Sequence, residues 1–373
     1  MAPTTTASAP PVRYTPNVET PKDDEAKTSA ELVETLLEIA RTMQEHTGHG
    51  LRSVHAKSFG LLRGTLTVLD GLPPELAQGV FARPGSHEVI ARMSTPPAEE
   101  LDDRVSLPRG LALKVLGVEG ERLPGSEAST TQDWLMVNGP VFNAPDAESF
   151  LRSLKLLAAT TDRVPTGKRM LSVVLRGTAK ALDAVGVESP KLMAMGGHPE
   201  THPLGETFFT QLPIRYGDYI AKLQVAPVAA SLTALTDQPL EVQDEANGLR
   251  EAVNNYFAAH DDAEWELRVQ LCTDLESMPI EDASVEWPEA QSPYRTVARL
   301  RIPRQTGWSE ERSRAVDDGL AFDPWNGIAA HQPLGNVMRA RREAYKPSAA
   351  FRAQANGCPM HQPRAADAVL PRA

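Results

Sequence analysis

The stretch 264–273, EWELRVQLCT, sets Trp265, Leu267, Val269 and Leu271 at every second position, with Glu266, Arg268 and Gln270 between them. Successive side chains of a strand point to opposite faces, so this two-residue apolar period predicts a half-buried strand. The same alternation runs through LLRGTLTVLDG at 61–71, where Leu66 and Val68 alternate with Thr65 and Thr67, and through HEVIARMS at 87–94, RGLALKVLG at 109–117 and RTVARLRIP at 295–303. Helical spacings lie between and after these runs, at 147–160, 179–195, 244–258 and 335–345. Upstream, SAELVETLLEIARTMQEHTGHG at 29–50 reads as one amphipathic helix on Leu32, Leu36, Leu37, Ile39, Ala40 and Met43, with Ser29 as cap and Gly48 as stop. No internal repeat is seen. Strands of this kind with helices inserted in their connections predict an α+β chain built on a large antiparallel barrel or sandwich.

Composition narrows the function classes. The 373 residues are 41% hydrophobic, enough for a sizeable core, and carry a net charge of −11, which offers no basic stripe to a nucleic acid. Two cysteines, Cys272 and Cys358, are too few for a disulfide framework, so a cytoplasmic location is expected. No apolar run approaches the ~20 residues that span a bilayer, and residues 1–29, rich in Pro, Thr and charge, read as an extended arm needing a partner subunit to order it.

Most common catalytic motifs are missing: no phosphate-cradling Gly-rich loop ending in Lys-Ser/Thr, no Gly-x-Ser-x-Gly elbow and no paired Cys-x-x-Cys. GGHPETHP at 196–203 puts His198 and His202 four apart, a metal-binding spacing on a helix, but Pro199 and Pro203 favour a loop. CPMH at 358–361 reads either as a soft metal or haem contact or, more simply, as tail. By itself, a histidine such as His55 in GLRSVHAKSFG, 50–60, reads as a hydrogen-bonded structural group.

Several separated stretches alter that reading when taken together. LRSVHAK at 51–57 resembles the distal-histidine segment of haem catalases, ARMSTPPAEELDDRVSLPRGLALKVLGVEG at 91–120 is similar to the strand pair that follows it, and DWLMVNGPVFNAPDAESF at 133–150 resembles the catalase asparagine segment. The run from Trp265 to Pro303, then AFDPWN at 321–326 and RREAY at 341–345, resembles the last barrel strands, the wrapping loop and the proximal haem helix. Order and spacing match across residues 45–352. The resemblance implies a catalase-like barrel of about eight strands over residues 30–352, between the arm and a tail at 353–373.

It also implies a site. His55 would be the distal base that takes a proton from peroxide and returns it to the leaving oxygen, Asn138 the distal amide donor, and Ser94 the hydroxyl that orients the imidazole. Tyr345 would be the axial ligand of haem iron, with Arg341 one helical turn earlier favouring the phenolate. Arg52, Arg92 and Arg352 would neutralise the haem propionates, Phe150 would stack on the ring and Val54 would line the pocket. Pro347 leaves Arg352 resting on the resemblance, since a proline there ends the helix just after Tyr345. The cofactor implied is haem, expected to be haem b; the partners are hydrogen peroxide or an organic hydroperoxide, a small organic electron donor, and further copies of the chain in a homo-oligomer joined through arms and wrapping segments.

Departures qualify this. Val137 and Asn143 stand where catalases keep a second asparagine and a channel aromatic. Glu206 stands where many keep a histidine that contacts NADPH, and an acid there repels a phosphate-bearing dinucleotide, so no NADPH is expected. Only 28 residues follow Tyr345 of the 373, so the C-terminal helical domain is expected to be absent or a stub. The expected activity is therefore catalase-type dismutation together with a share of peroxidase turnover. The alternatives are an allene-oxide-forming hydroperoxide isomerase, whose relatives carry Thr where this chain has Val54, and a haem sensor or store, which has no need of a distal base.

Overall fold

A computed structural model of the chain describes residues 9–160, 199–240 and 246–371. The described residues contain nine strands in one antiparallel sheet: β1 (Ser58–Val68), β2 (Gly85–Ser94), β3 (Gly110–Val115), β4 (Gln132–Val137), β5 (Phe208–Phe209), β6 (Ile214–Tyr216), β7 (Tyr219–Pro227), β8 (Asp262–Leu271) and β9 (Arg295–Pro303). Their order is β5-β4-β3-β2-β1-β9-β8-β7, and Phe208 and Phe209 of β5 pair back onto Val225 and Gln224 of β7. That contact closes eight strands into a barrel, with β6 attached to β7 as a hairpin. Closure removes the exposed edges that an open sheet of this size would present.

All five predicted runs form strands. Trp265, Leu267, Val269 and Leu271 do share one face and enter the barrel core, where they meet Leu62 and Leu66 of β1 and Leu111 and Leu113 of β3. Full burial of such a side chain contributes about 1.5–3 kcal/mol. An aromatic group closes the interior: Phe81 stacks on Trp134 and Tyr216 at 5.6 and 5.8 Å, and the buried ring of His331 meets all three. Val80 N–H donates to His331 Nε2 at 3.0 Å, and burial lowers the His331 pKa to about 3.

The outer face of β2, β3 and β4 is also covered. Ala91 and Met93 point inward while Arg92 and Ser94 point outward, yet both outward residues are only 3% exposed. On the next strands Lys114 and Asp133 pair at 2.7 Å, both almost fully buried. What covers this face is the segment that wraps from 304 to 335 together with the tail, as Leu61, Ile90 and Leu116 pack with Val316, Leu320, Phe322, Ala366 and Leu370. Of the helices, α1 (Glu25–Thr47) packs against α2 (Ala147–Thr160), α4 (Asn336–Arg341) and α5 (Tyr345–Asn356), while α3 (Gly248–Ala259) lies on β1. No helix among the described residues is long and apolar enough to cross a membrane.

Several expectations change. Helix α1 starts at Glu25 rather than Ser29, whose hydroxyl instead bonds back to Glu25 O at 2.8 Å; Gly48 does stop it, at φ 72°. The described part of the arm is tied to its own barrel, with Val12 N donating to Cys272 O and Tyr14 N to Asp218 O, both at 2.8 Å. The helix expected over 335–345 breaks after Arg341, and Pro347 lies in the first turn of α5, where a missing N–H costs nothing, so the helix runs on to Asn356 and includes Arg352. The helical spacing at 179–195 and His198 lie outside the described residues. His202 sits in a loop ahead of a short turn at Pro203–Gly205, and no cluster of metal-ligating side chains occurs among the described residues.

Candidate functional site

The register of the sheet sets one end of the site. Ser94 at the end of β2 pairs with Gly110 of β3, which pairs with Val137 of β4, so Ser94, Gly110 and Asn138 come together at one barrel rim. The loop carrying His55 lies over this rim, held by His55 N donating to Pro96 O at 2.7 Å and Ala56 N to Pro97 O at 3.0 Å. His55 takes φ 57°, a left-handed backbone rarely adopted outside glycine, and its ring Nδ1 shares a 3.1 Å hydrogen bond with Ser94 Oγ. The ring leaves no room for a side chain at Gly110: a Cβ there would lie 2.6 Å from His55 Cε1.

His55 is neutral over the whole physiological range. Burial, followed by the charges of Arg92, Arg341 and Arg52, lowers its pKa to about 3. The influence of Arg341 ties the two halves of the site together, since that residue sits beside Tyr345 and donates to its hydroxyl. Burial raises the Tyr345 pKa and outweighs Arg341, so the phenol of the unliganded protein is protonated. Both His55 and Tyr345 stay partly accessible although protein crowds them enough for burial to dominate their titration.

The three predicted arginines meet, around a residue the sequence did not single out. Asp317 Oδ1 accepts from Arg92 Nε at 2.6 Å and Arg52 Nη1 at 3.2 Å, while Oδ2 accepts from Ser58 and Ser313 hydroxyls at 2.6 and 2.7 Å. Arg52 also donates to the carbonyls of Asp317 and Leu320, and Arg352 donates to the same two. Arg92 Nη2 reaches across to His55 O and Ala56 O at 2.8 and 3.0 Å, so it fixes the histidine loop as well. Burial and the guanidiniums of Arg352 and Arg92 press on the charge of Arg52, which a guanidinium nevertheless keeps. The buried Nε of Arg352 has no partner. Crowded cations with an unused donor suit a further anion, which fits the carboxylates of haem.

Phe150 lies on α2 and meets Phe142 edge-on at 5.1 Å, packed with Val54 in an apolar cluster that includes Ala344 beside Tyr345. Phe142 supplies an aromatic four residues after Asn138, and Asn143 is exposed. Asn138 accepts Arg109 N–H on Oδ1 at 2.8 Å and donates Nδ2 to Glu206 Oε2 at 2.8 Å. Glu206 therefore faces inward as a buried partner of Arg109 and Asn138. In the tail, Met360 Sδ lies 3.8 Å from Arg352 Nη2 and Cys358 is half-exposed. Of these residues, Asp317, Gly110 and Arg109 left no local sequence signal, because each acts through neighbours distant in the chain.

No family model and no curated protein matches the sequence. Solved structures do match. The chain is similar to catalase A from Saccharomyces cerevisiae, with 16% identity and a TM-score of 0.58 over 84% of this chain and 63% of that one. It is similar to a fungal catalase at 17% identity, TM-score 0.59, over 85% and 62%, and to a bacterial catalase at 16%, TM-score 0.58, over 94% and 64%. The fold is catalase-like, and the chain spans slightly less than two thirds of the length of each of these catalases.

Proposed function

We propose that the chain binds haem between His55 and Tyr345 and uses it to decompose peroxide. The observation that carries this is that a neutral histidine bonded to Ser94, an amide fixed by Arg109, a cluster of three arginines around Asp317 and an arginine-paired tyrosine occur together in a catalase-like fold. Tyr345 would ligate the iron, Arg52, Arg92 and Arg352 would meet the propionates, and Phe150 with Val54 would supply the apolar wall. Bound haem would supply an iron centre that accepts two oxidising equivalents from a peroxide.

The chain's own part is proton handling. The His55 tautomer in which Nδ1–H donates to Ser94 Oγ leaves its lone pair on Nε2, as a base requires. A pKa of about 3 keeps that nitrogen free at pH 7, so it takes the peroxide proton and returns it to the departing oxygen, which leaves as water. Asn138 holds the peroxide by hydrogen bonding without adding charge. A second hydrogen peroxide, releasing oxygen, or a small organic donor would supply the two returning electrons. With Val137 half-buried at the rim and Asn143 exposed, we assign a larger peroxidase share than a narrow aromatic channel allows.

Reconstitution with haem tests the proposal. A high-spin ferric spectrum with tyrosinate character is expected, with oxygen release from hydrogen peroxide and oxidation of an aromatic donor. His55→Ala should keep the haem and lose roughly 10²–10⁴-fold in peroxide turnover. Failure to bind haem, or parental turnover in that variant, would sink the proposal.

A further inference from the structure

We infer that Glu206 is a positioning residue, which together with Arg109 locks the side-chain amide of Asn138 in one orientation. An asparagine amide has two ends of nearly equal shape, so packing alone does not choose between them. Here each end meets a group that tolerates only one atom. The oxygen end accepts the Arg109 backbone N–H at 2.8 Å, and the nitrogen end donates to Glu206 Oε2 at 2.8 Å. Rotating the amide by half a turn would set oxygen against carboxylate oxygen and N–H against N–H, losing both bonds at once.

The holder is itself held. Glu206 Oε1 accepts from the Arg109 guanidinium and from Thr201 Oγ1 at 2.7 Å, and the Arg109 and Glu206 side chains are 4% and 11% exposed. Asn138 N also donates to Arg109 O at 3.0 Å. Arg109 thus acts twice, through its backbone on the oxygen end and through its guanidinium on the carboxylate. The Arg109 N–H bonded to Oδ1 polarises the amide and strengthens its NH2 group as a donor. The value of the lock for catalysis rests on the reading that peroxide is handled beside His55; the lock does not.

The test uses haem-free protein labelled with 15N-asparagine, with the Asn138 side-chain signal assigned by its loss in Asn138→Asp. In Glu206→Ala the Asn138 amide protons should exchange with solvent at least ~10-fold faster, because a hydrogen-bonded proton has become unrestrained. Because that variant leaves Arg109 buried without its partner, Arg109→Met/Glu206→Leu serves as the second: it removes the charges together and keeps the backbone N–H that holds Oδ1. Unchanged exchange and chemical shift in a folded variant overturn the inference. In haem-loaded protein the same variants should keep the parental haem content and Soret position while turnover falls by roughly 10–100-fold, the cost of a misplaced group. Faster exchange in a protein whose parent shows no peroxide turnover would overturn the proposed function and sustain the lock.

Discussion

Replacing Asp317 by Asn removes the one carboxylate that Arg52 and Arg92 share, while keeping its shape. Burial works to raise the Asp317 pKa, but Arg92, Arg52 and the Ser58 hydroxyl prevail and lower it to about 2 from an ordinary 3.8. At about 1.4 kcal/mol per unit, that difference contributes roughly 2 kcal/mol of stability. The folded pKa lies below the unfolded one, so the contribution is complete above pH ~4 and disappears as pH falls through 2. Stranding buried cations without their counter-charge costs more, about 3–5 kcal/mol where a pair is fully buried. Asp317→Asn should therefore destabilise the haem-free protein by about 2–4 kcal/mol at pH 7. Urea unfolding followed by tryptophan fluorescence measures this, and one of the five tryptophans reports beside the cluster, since Trp308 Nε1 donates to Ser58 Oγ at 3.0 Å, and Ser58 in turn donates to Asp317. The gap between parent and variant should shrink as the pH approaches 2. A gap under about 0.5 kcal/mol at pH 7, or one that stays constant down to pH 2.5, would refute the view that Asp317 neutralises the arginine cluster.

Three further outcomes are expected. Gly110→Ala should displace the His55 ring, because its Cβ would lie 2.6 and 2.7 Å from Cε1 and Nδ1; peroxide turnover of the haem-loaded protein should drop by roughly 10–100-fold with little change in thermal stability, and unchanged turnover would mean the ring position is not critical. Tyr345→Phe should abolish tyrosinate character and weaken haem retention on gel filtration, and an unaltered spectrum would move the axial ligand elsewhere. His331, 1% exposed with a pKa lowered to about 3 by burial, contributes stability that is complete above pH 6.5 and lost toward pH 3; between pH 8 and 5 that amounts to about 2 kcal/mol, so His331→Gln should flatten the pH dependence of urea unfolding by about this much.

The strands that were legible in the sequence are those whose two faces differ. Ala263, Trp265, Leu267 and Val269 alternate with Glu264, Glu266 and Arg268, and the period shows. On β7, Lys222 and Gln224 lie outward yet are almost as buried as Leu223 and Val225, and Ile220 and Ala226 add apolar residues to that face, so no clean period marks the strand. Strand β5 has two residues and draws its identity from the partners it closes onto. The site residues were legible in a different way, through short motifs whose order matched a known arrangement. What those motifs lacked was Asp317, 225 positions from the Arg92 it binds, and the inward turn of Glu206, which lies 68 positions from Asn138. Pairings at such separations follow from barrel closure and from the wrapping segment, and neither leaves a mark in local periodicity.

Polar alternation on a strand usually means that the polar face meets water. On β2 to β4 it means something else, because Arg92, Ser94, Lys114 and Asp133 occupy the polar face and are nearly inaccessible. Buried ionic groups of this kind are costly unless every one finds a partner. Lys114 and Asp133 satisfy each other, Asp133 also accepts from Asp323 N at 2.9 Å, and Arg92 bonds Asp317 and the His55 loop. One network therefore joins the histidine loop to the wrapping segment, and a second joins that segment to the barrel wall beneath it. Covering the outer face of a closed barrel in this way uses the strands twice: their inner side chains make the core, and their outer side chains fix the histidine loop and the arginine cluster. A substitution at Arg92 thus acts on two terms together, the anion site and the position of His55, and its effects on haem affinity and on proton transfer should not separate. Arg352 touches only the first, so Arg352→Met should lower haem affinity while leaving turnover per bound haem within about threefold of the parent, as expected for groups with no shared reacting partner. Equal losses per bound haem in Arg92→Met and Arg352→Met would show that the histidine loop does not depend on the Arg92 bonds.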